Sequence, residues 1–328
     1  MSSRTRRWIF VAVVVGAASV TAALVGKAAL RGDASTAGAT RVTAPASSVA
    51  GKTRVFYRST EKGALSGRVI LATVTANGAS KQVSGLTCDR FAFAHGRGLC
   101  LATKRSFGSS YVAKIVDSHL NVLHEIKLSG IPSRARVSSD GRYGSSTVFV
   151  TGHSYAVGRF STATTIYDMA TGKPVLANLE QLKTTTGGER ITAVDMNYWG
   201  VTFAADPNTF YATLATGGRT YLVRGNVAQR TAVILRENVE CPSLSPDGKR
   251  IAYKYLPDTG RWRLHVLELA TGRDVALAET RTVDDQAEWL DDDHVLYQVD
   301  ESVWVVPADG TGTPKEYLPD ASSPGVLR

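Results

Sequence analysis

From Thr53 onward, apolar and β-branched positions come in short runs of 5–9 residues, separated by Gly, Asp, Pro and Ser. Runs of that length bounded by turn residues are the pattern of β-strands. No long stretch beyond the stalk region keeps a 3.6-residue period. "NLEQLKTTT" leaves room for one short helical turn. The pattern predicts an all-β domain over residues 53–328.

The strands repeat. "DMATGKPV", from Asp168, and "ELATGRDV", from Glu268, lie 100 residues apart, and "SSDGRY", from Ser138, has an echo in "SPDGKR", from Ser245. "ADGTGTP", from Ala308, brings the same turn about 40 residues after the second. A unit of 40–50 residues with four short strands is one blade of a β-propeller, so an offset near 100 spans two blades. Six blades are expected, near 53–86, 87–130, 131–180 with a connector to 190, 191–237, 238–280 and 281–320. In the clearest of them, the expected strands are Pro242–Ser245, Arg250–Tyr255, Arg263–Leu269 and Asp274–Leu277. The first blade begins at Arg54–Arg58, which corresponds to a second strand. "SSPGVL" (Ser322–Leu327) resembles "ECPSLS" (Glu240–Ser245) and is expected to supply the missing first strand, closing the ring without an open sheet edge.

Ahead of the domain, "RTRRWIFVAVVVGAASVTAALVG" places Arg4, Arg6 and Arg7 before an uncharged run from Trp8 to Gly26. Such a run spans about 28 Å as a helix, near the thickness of a bilayer core. The arginines orient the N-terminus to the cytoplasm, and Trp8 falls at the headgroup boundary. Residues 1–26 are therefore expected to form a cytoplasmic tip and a single transmembrane signal anchor. The alternative is a secretory signal peptide cleaved after Ala28. Residues 27–52, rich in Ala, Ser, Thr, Gly and Pro, read as a flexible, disordered stalk. The domain would then lie on the extracytoplasmic side. Thr5–Phe10 loosely matches a twin-arginine export signal.

Charge adds little beyond this. The formal net charge is +9, but residues 1–50 hold about +5 of it, leaving a mild excess on the domain. No basic patch with interleaved aromatics points to nucleic acid. Ala46–Thr53 nearly matches a phosphate-binding P-loop, yet it leads into a strand rather than a helix, and the motif needs the helix N-terminus. Gly152–Ala156, "GHSYA", has the spacing of a nucleophile elbow, but that turn belongs on an α/β sheet.

The remaining candidates are few. Cys88 and Cys100 flank the hairpin "CDRFAFAHGRGLC", within reach of a disulfide. Cys241, aligned with Cys88 three blades away, is expected to be a free, buried thiol. The six histidines do not repeat in phase. Asp284–Asp285, ahead of a first strand, is the candidate site for a hard cation such as calcium, and Asp291–Asp293 occupies a turn at the other end of that blade. Trp199, Trp262, Trp289 and Trp304 are expected to pack between blades. Ser245-Pro-Asp-Gly248 reads as a turn: Pro fixes φ, Asp accepts a backbone N–H, and Gly takes the positive φ.

"SLSPDGKRIAYKY" followed by "LHVLELATG" resembles the repeat of TolB-type β-propellers. "NYWGVTFAADPNTFYATLATGG" and "VWVVPADGTGTPKEYLP" are similar to segments of membrane-anchored TolB-like proteins of actinobacteria. The resemblance covers most of residues 53–328. TolB carries an extra N-terminal domain where this chain has the apolar run and stalk. The resemblance implies a binding or scaffold module that presents loops and a central channel to an envelope protein or peptide. An enzyme (hydrolase or lyase) or a small-ligand sensor at the channel mouth is the alternative the same fold allows.

Overall fold

The structure, a computed structural model, describes residues 41–42, 53–75, 78–106, 108–150 and 161–328. The expected anchor, with Arg4, Arg6, Arg7 and Trp8, lies outside the described residues, as do the stalk apart from 41–42 and the "GHSYA" segment. Among the described residues no helix is long and apolar enough to cross a membrane.

The described chain is an all-β propeller of six sheets, antiparallel apart from one parallel pair in blade four. Blade five has the plainest order, inner to outer: Glu240–Leu244, Arg250–Tyr255, Arg263–Glu268 and Asp274–Ala276. Blades two (Arg90–Leu128), three (Ile131–Leu176) and six (Glu288–Leu318) repeat that meander. In blade four the expected connector joins the sheet. Lys183–Thr186 runs parallel to the fourth strand, Thr231–Glu237, and Glu189–Arg190 folds back on it. The expected helical turn is a single 3-10 turn at Leu179–Gln181.

Blade one is assembled from both ends of the domain. The C-terminal strand Ala321–Leu327 pairs antiparallel with Thr53–Ser59, from Arg54 opposite Leu327 to Ser59 opposite Ala321. Arg68–Thr75 and Gly78–Thr87 complete the sheet, and Arg41–Val42 pairs on its outer edge. The last strand of the chain is thus the innermost strand of the first blade.

The burial pattern explains why the strands do not alternate cleanly. Ile251–Lys254 are all buried, because a central strand of a blade is covered on both faces by its neighbours. Outer strands such as Thr231–Glu237 recover alternation. The turns are local devices. Asp247 Oδ1 accepts from Ser245 Oγ at 2.5 Å and from the Lys249 N–H at 3.0 Å, while Gly248 takes φ +71°. Ser138, Asp140 and Gly141 build the same turn in blade three.

One irregularity recurs and matters for the channel. The innermost strands of blades four, five and one each break register around a residue with positive φ: Gly200 (+66°), Cys241 (+49°) and Ser323 (+49°). These are β-bulges, which re-aim side chains and free backbone groups from the ladder. A Cβ on Gly200 would stand 2.8 Å from Cys241 Cα, so the two bulges touch and only glycine fits. Gln286 collects carbonyls near these bulges: its Nε2 donates to Pro242 O at 2.6 Å and to Gly200 O and Val201 O at 3.3 Å. The residues equivalent to Cys241 are therefore Gly200 and Ser323. Cys88 is not its counterpart, since it lies ahead of its blade's first strand, Arg90–Ala94.

Candidate functional site: the channel mouth

The antiparallel meander puts the starts of the first strands and the ends of the second strands at one end of the ring. A cavity of about 650 Å³ opens there, lined by blades two to six. The Ser245–Gly248 type of turn lies at the opposite end.

The cavity is lined by charge and aromatic rings together. Asp285, in the lead-in to blade six, sits between two guanidinium groups: Arg90 Nη1 is 2.7 Å from Oδ2 and Arg134 Nε is 3.3 Å from Oδ1. Arg90 Nη1 also donates to Ser323 Oγ at 2.5 Å, tying blade two to the bulge of the closing strand. Burial works against the Asp285 charge, but Arg134, Arg90 and the Gln286 N–H hold its carboxyl well below the usual range. Arg136, on the same face of its strand as Arg134, pairs with Glu288 at 2.9 Å and donates to Ala287 O at 2.7 Å.

A second cluster surrounds Lys254, whose side chain is only 4% exposed. Its Nζ is 2.7 Å from Asp284 Oδ1 and donates to Asp284 O at 3.0 Å; Glu240 Oε2 is 3.7 Å away. The Trp262 ring lies 4.4 Å from Nζ, a cation–π contact. Burial opposes the ammonium charge, yet Cys241, Asp284 and Glu240 together raise its pKa. Burial also pushes the Glu240 carboxyl up to about 7, with Lys254 pulling the other way. Glu240 therefore changes charge near neutral pH inside the mouth.

The sequence candidates fall into place unevenly. Asp284 and Asp285 are in the mouth, but each faces cations. A calcium cage needs six to eight converging oxygens without competing positive charge; here Arg90, Arg134 and Lys254 occupy those directions. Among the described residues, no three His, Cys, Asp or Glu side chains converge as a metal site. Asp291 caps the turn at His294 and Asp293, and Asp292 accepts from the Asp247 N–H of blade five, at the opposite end. Cys88 and Cys100 are joined in a disulfide, and Cys241 is a buried free thiol that lines the cavity. Trp289 packs in the core and donates to Ser243 O, and Trp304 lies under Arg281. Trp199 and Trp262 line the mouth instead.

Arg90, Arg134, Arg136, Glu240, Lys254 and Gln286 escape a search for motifs. Their signal is a charged or amide residue inside a strand or lead-in whose neighbours are apolar, as in "IPSRARV" and "RIAYKYLP".

No protein-family model matches this sequence, and no curated protein matches it either. Solved structures match in fold. TolB from Acinetobacter baumannii is 16% identical, with a TM-score of 0.57 over 85% of this chain and 67% of that one. A structure of a nidogen/laminin complex is 12% identical, with a TM-score of 0.55 over 84% of this chain and 98% of that one. A protein from Agrobacterium tumefaciens assigned as TolB is 12% identical, with a TM-score of 0.50 over 81% and 87%. At these identities the likeness concerns architecture alone, and the architecture of this chain is a TolB-like six-bladed β-propeller.

Proposed function

We propose that this chain is a protein- or peptide-binding module of the cell envelope, tethered by its N-terminal segment with the propeller on the extracytoplasmic side, and that the channel mouth is its contact surface. The observation that carries the reading is the mouth itself: a concave cavity of about 650 Å³ where Phe149, Trp199 and Trp262 stand beside arginine and lysine. Aromatic and arginine side chains in a concave patch are the composition of binding hot spots. Ile131, 52% exposed, pairs with Phe149 across the strand and extends the apolar rim. The tether rests on the apolar run Trp8–Gly26 with Arg4, Arg6 and Arg7 before it.

The test is co-purification of the full chain from its native cells, with and without Trp262→Ala. The reading expects a discrete envelope protein retained by the wild type and lost from a variant of unchanged melting temperature. Equal retention by both would refute the mouth as the contact.

Glu240 favours a second reading, a channel-mouth hydrolase or lyase, since a carboxyl titrating near 7 suits proton transfer. That reading requires turnover that falls in Glu240→Gln.

A further inference from the structure

Lys254 is a buried cation with an exposed countercharge. Its side chain is 4% exposed, whereas that of Asp284, 2.7 Å away, is 83% exposed. Asp284 belongs to no strand; it lies in the lead-in to Glu288–Trp289. An interior ammonium is thus neutralised by a carboxylate that reaches it from the solvent side. The interior carboxylate nearby, Glu240, stands 3.7 Å off, beyond hydrogen-bond distance. Asp285 is committed to Arg90 and Arg134. Arg134 Nε lies 3.3 Å from Asp285 Oδ1 as an ion pair without hydrogen-bond geometry, and Arg134 Nη2 donates to Asp284 O at 3.1 Å. The Lys254 ammonium, in the cavity wall, therefore takes its nearest anionic oxygen from the solvent side, with Asp284 as a removable occupant.

We propose that the mouth contains a carboxylate-binding subsite in which Asp284 stands in for the ligand's own carboxylate. An acidic side chain or a free C-terminus of a partner displaces Asp284 from Lys254 Nζ and stacks against Trp262. Asp284 swings to solvent, where a charged side chain is fully hydrated, so the exchange leaves no buried charge unpaired. The inference deepens the binding reading above and rests on the mouth being the contact surface.

The test is calorimetric titration of the full chain with three blocked tripeptides. These are N-acetyl-triglycine with a free C-terminus, N-acetyl-Gly-Asp-Gly-amide, and neutral N-acetyl-triglycine-amide. At least one acidic peptide binds and the neutral one does not; the acidic peptide that binds identifies the source of the carboxylate. Asp284→Ala tightens that binding about fivefold, because an ion pair with an exposed partner is closed most of the time and masks the site for that fraction. Lys254→Met abolishes it. Asp284→Ala removes an exposed side chain, so its result does not depend on how well Lys254→Met folds. Unchanged or weaker binding in Asp284→Ala, or no acidic peptide binding to either protein, overturns the subsite. Partner retention dependent on Trp262 would survive that outcome, so the two ideas fail separately.

Discussion

Replacing Asp285 with Asn tests whether the mouth is held by its ion pairs. Asp285 is 15% exposed and its oxygens lie 2.7 Å from Arg90 and 3.3 Å from Arg134. The substitution keeps the shape and removes the charge, leaving two guanidinium groups facing each other in a poorly solvated wall. Breaking a buried pair by removing one partner costs about 3–5 kcal/mol. Arg90 is 25% exposed and keeps Ser323, so the low end, about 3 kcal/mol, is expected. For a domain of this size that lowers the melting temperature by roughly 6–12 °C. The pH dependence is more diagnostic. The folded-state pKa of Asp285 is depressed, so its stabilisation is complete above the ordinary aspartate range and is lost as pH falls through it towards the native value. The gap between wild type and Asp285→Asn should be largest at pH 5–8 and shrink by about 1.4 kcal/mol per unit below about pH 4. Urea unfolding followed by tryptophan fluorescence at pH 3, 4, 5 and 7 reads both effects. A gap that stays constant or widens on acidification would refute the electrostatic role.

Three further outcomes follow from the same structure. Deleting residues 321–328 strips the inner strand from blade one and leaves Thr53–Ser59 as an open edge; a melting temperature within 2 °C of wild type, as an order-of-magnitude bound, would rule out closure by the tail. Glu240→Gln should be more stable than wild type at pH 8 by about 2–3 kcal/mol, because the unfolded chain releases this proton near 4.5 and the folded one holds it until about 7; stability falls as pH climbs through that window, and near pH 4 the advantage should vanish in denaturant titrations. Replacing Cys88 and Cys100 by Ser, which opens a loop of sequence separation 12, should cost about 2–4 kcal/mol in the same assay, with Cys241 still shielded from maleimide until unfolding.

The architecture was legible because propeller turns are written in local chemistry. Ser-Pro-Asp-Gly and Ala-Thr-Gly need particular residues for their φ values and side-chain hydrogen bonds, so they survive in sequence and mark the period. The mouth was not legible in the same way. Arg90, Arg134, Glu240, Lys254 and Asp285 come from four blades spread over nearly 200 residues, and only ring closure brings them together. Asp284 and Asp285 stood out as an acidic pair and suggested calcium, because a sequence shows carboxylates but not the guanidinium groups that meet them across a channel. The bulges at Gly200, Cys241 and Ser323 were hidden for another reason. They sit at one structural position held by three unlike residues, with only the Pro after Cys241 and Ser323 hinting at equivalence.

Position-specific photo-crosslinking tests the central claim most directly. A photoreactive residue placed at Trp262, in the mouth, and another at Asp309, on a turn at the opposite end of the ring, would be expressed in the full chain in its native cells. The mouth as contact surface predicts a discrete envelope-protein adduct from position 262 and none from position 309. An adduct from position 309 alone, or the same adduct from both positions, would contradict it.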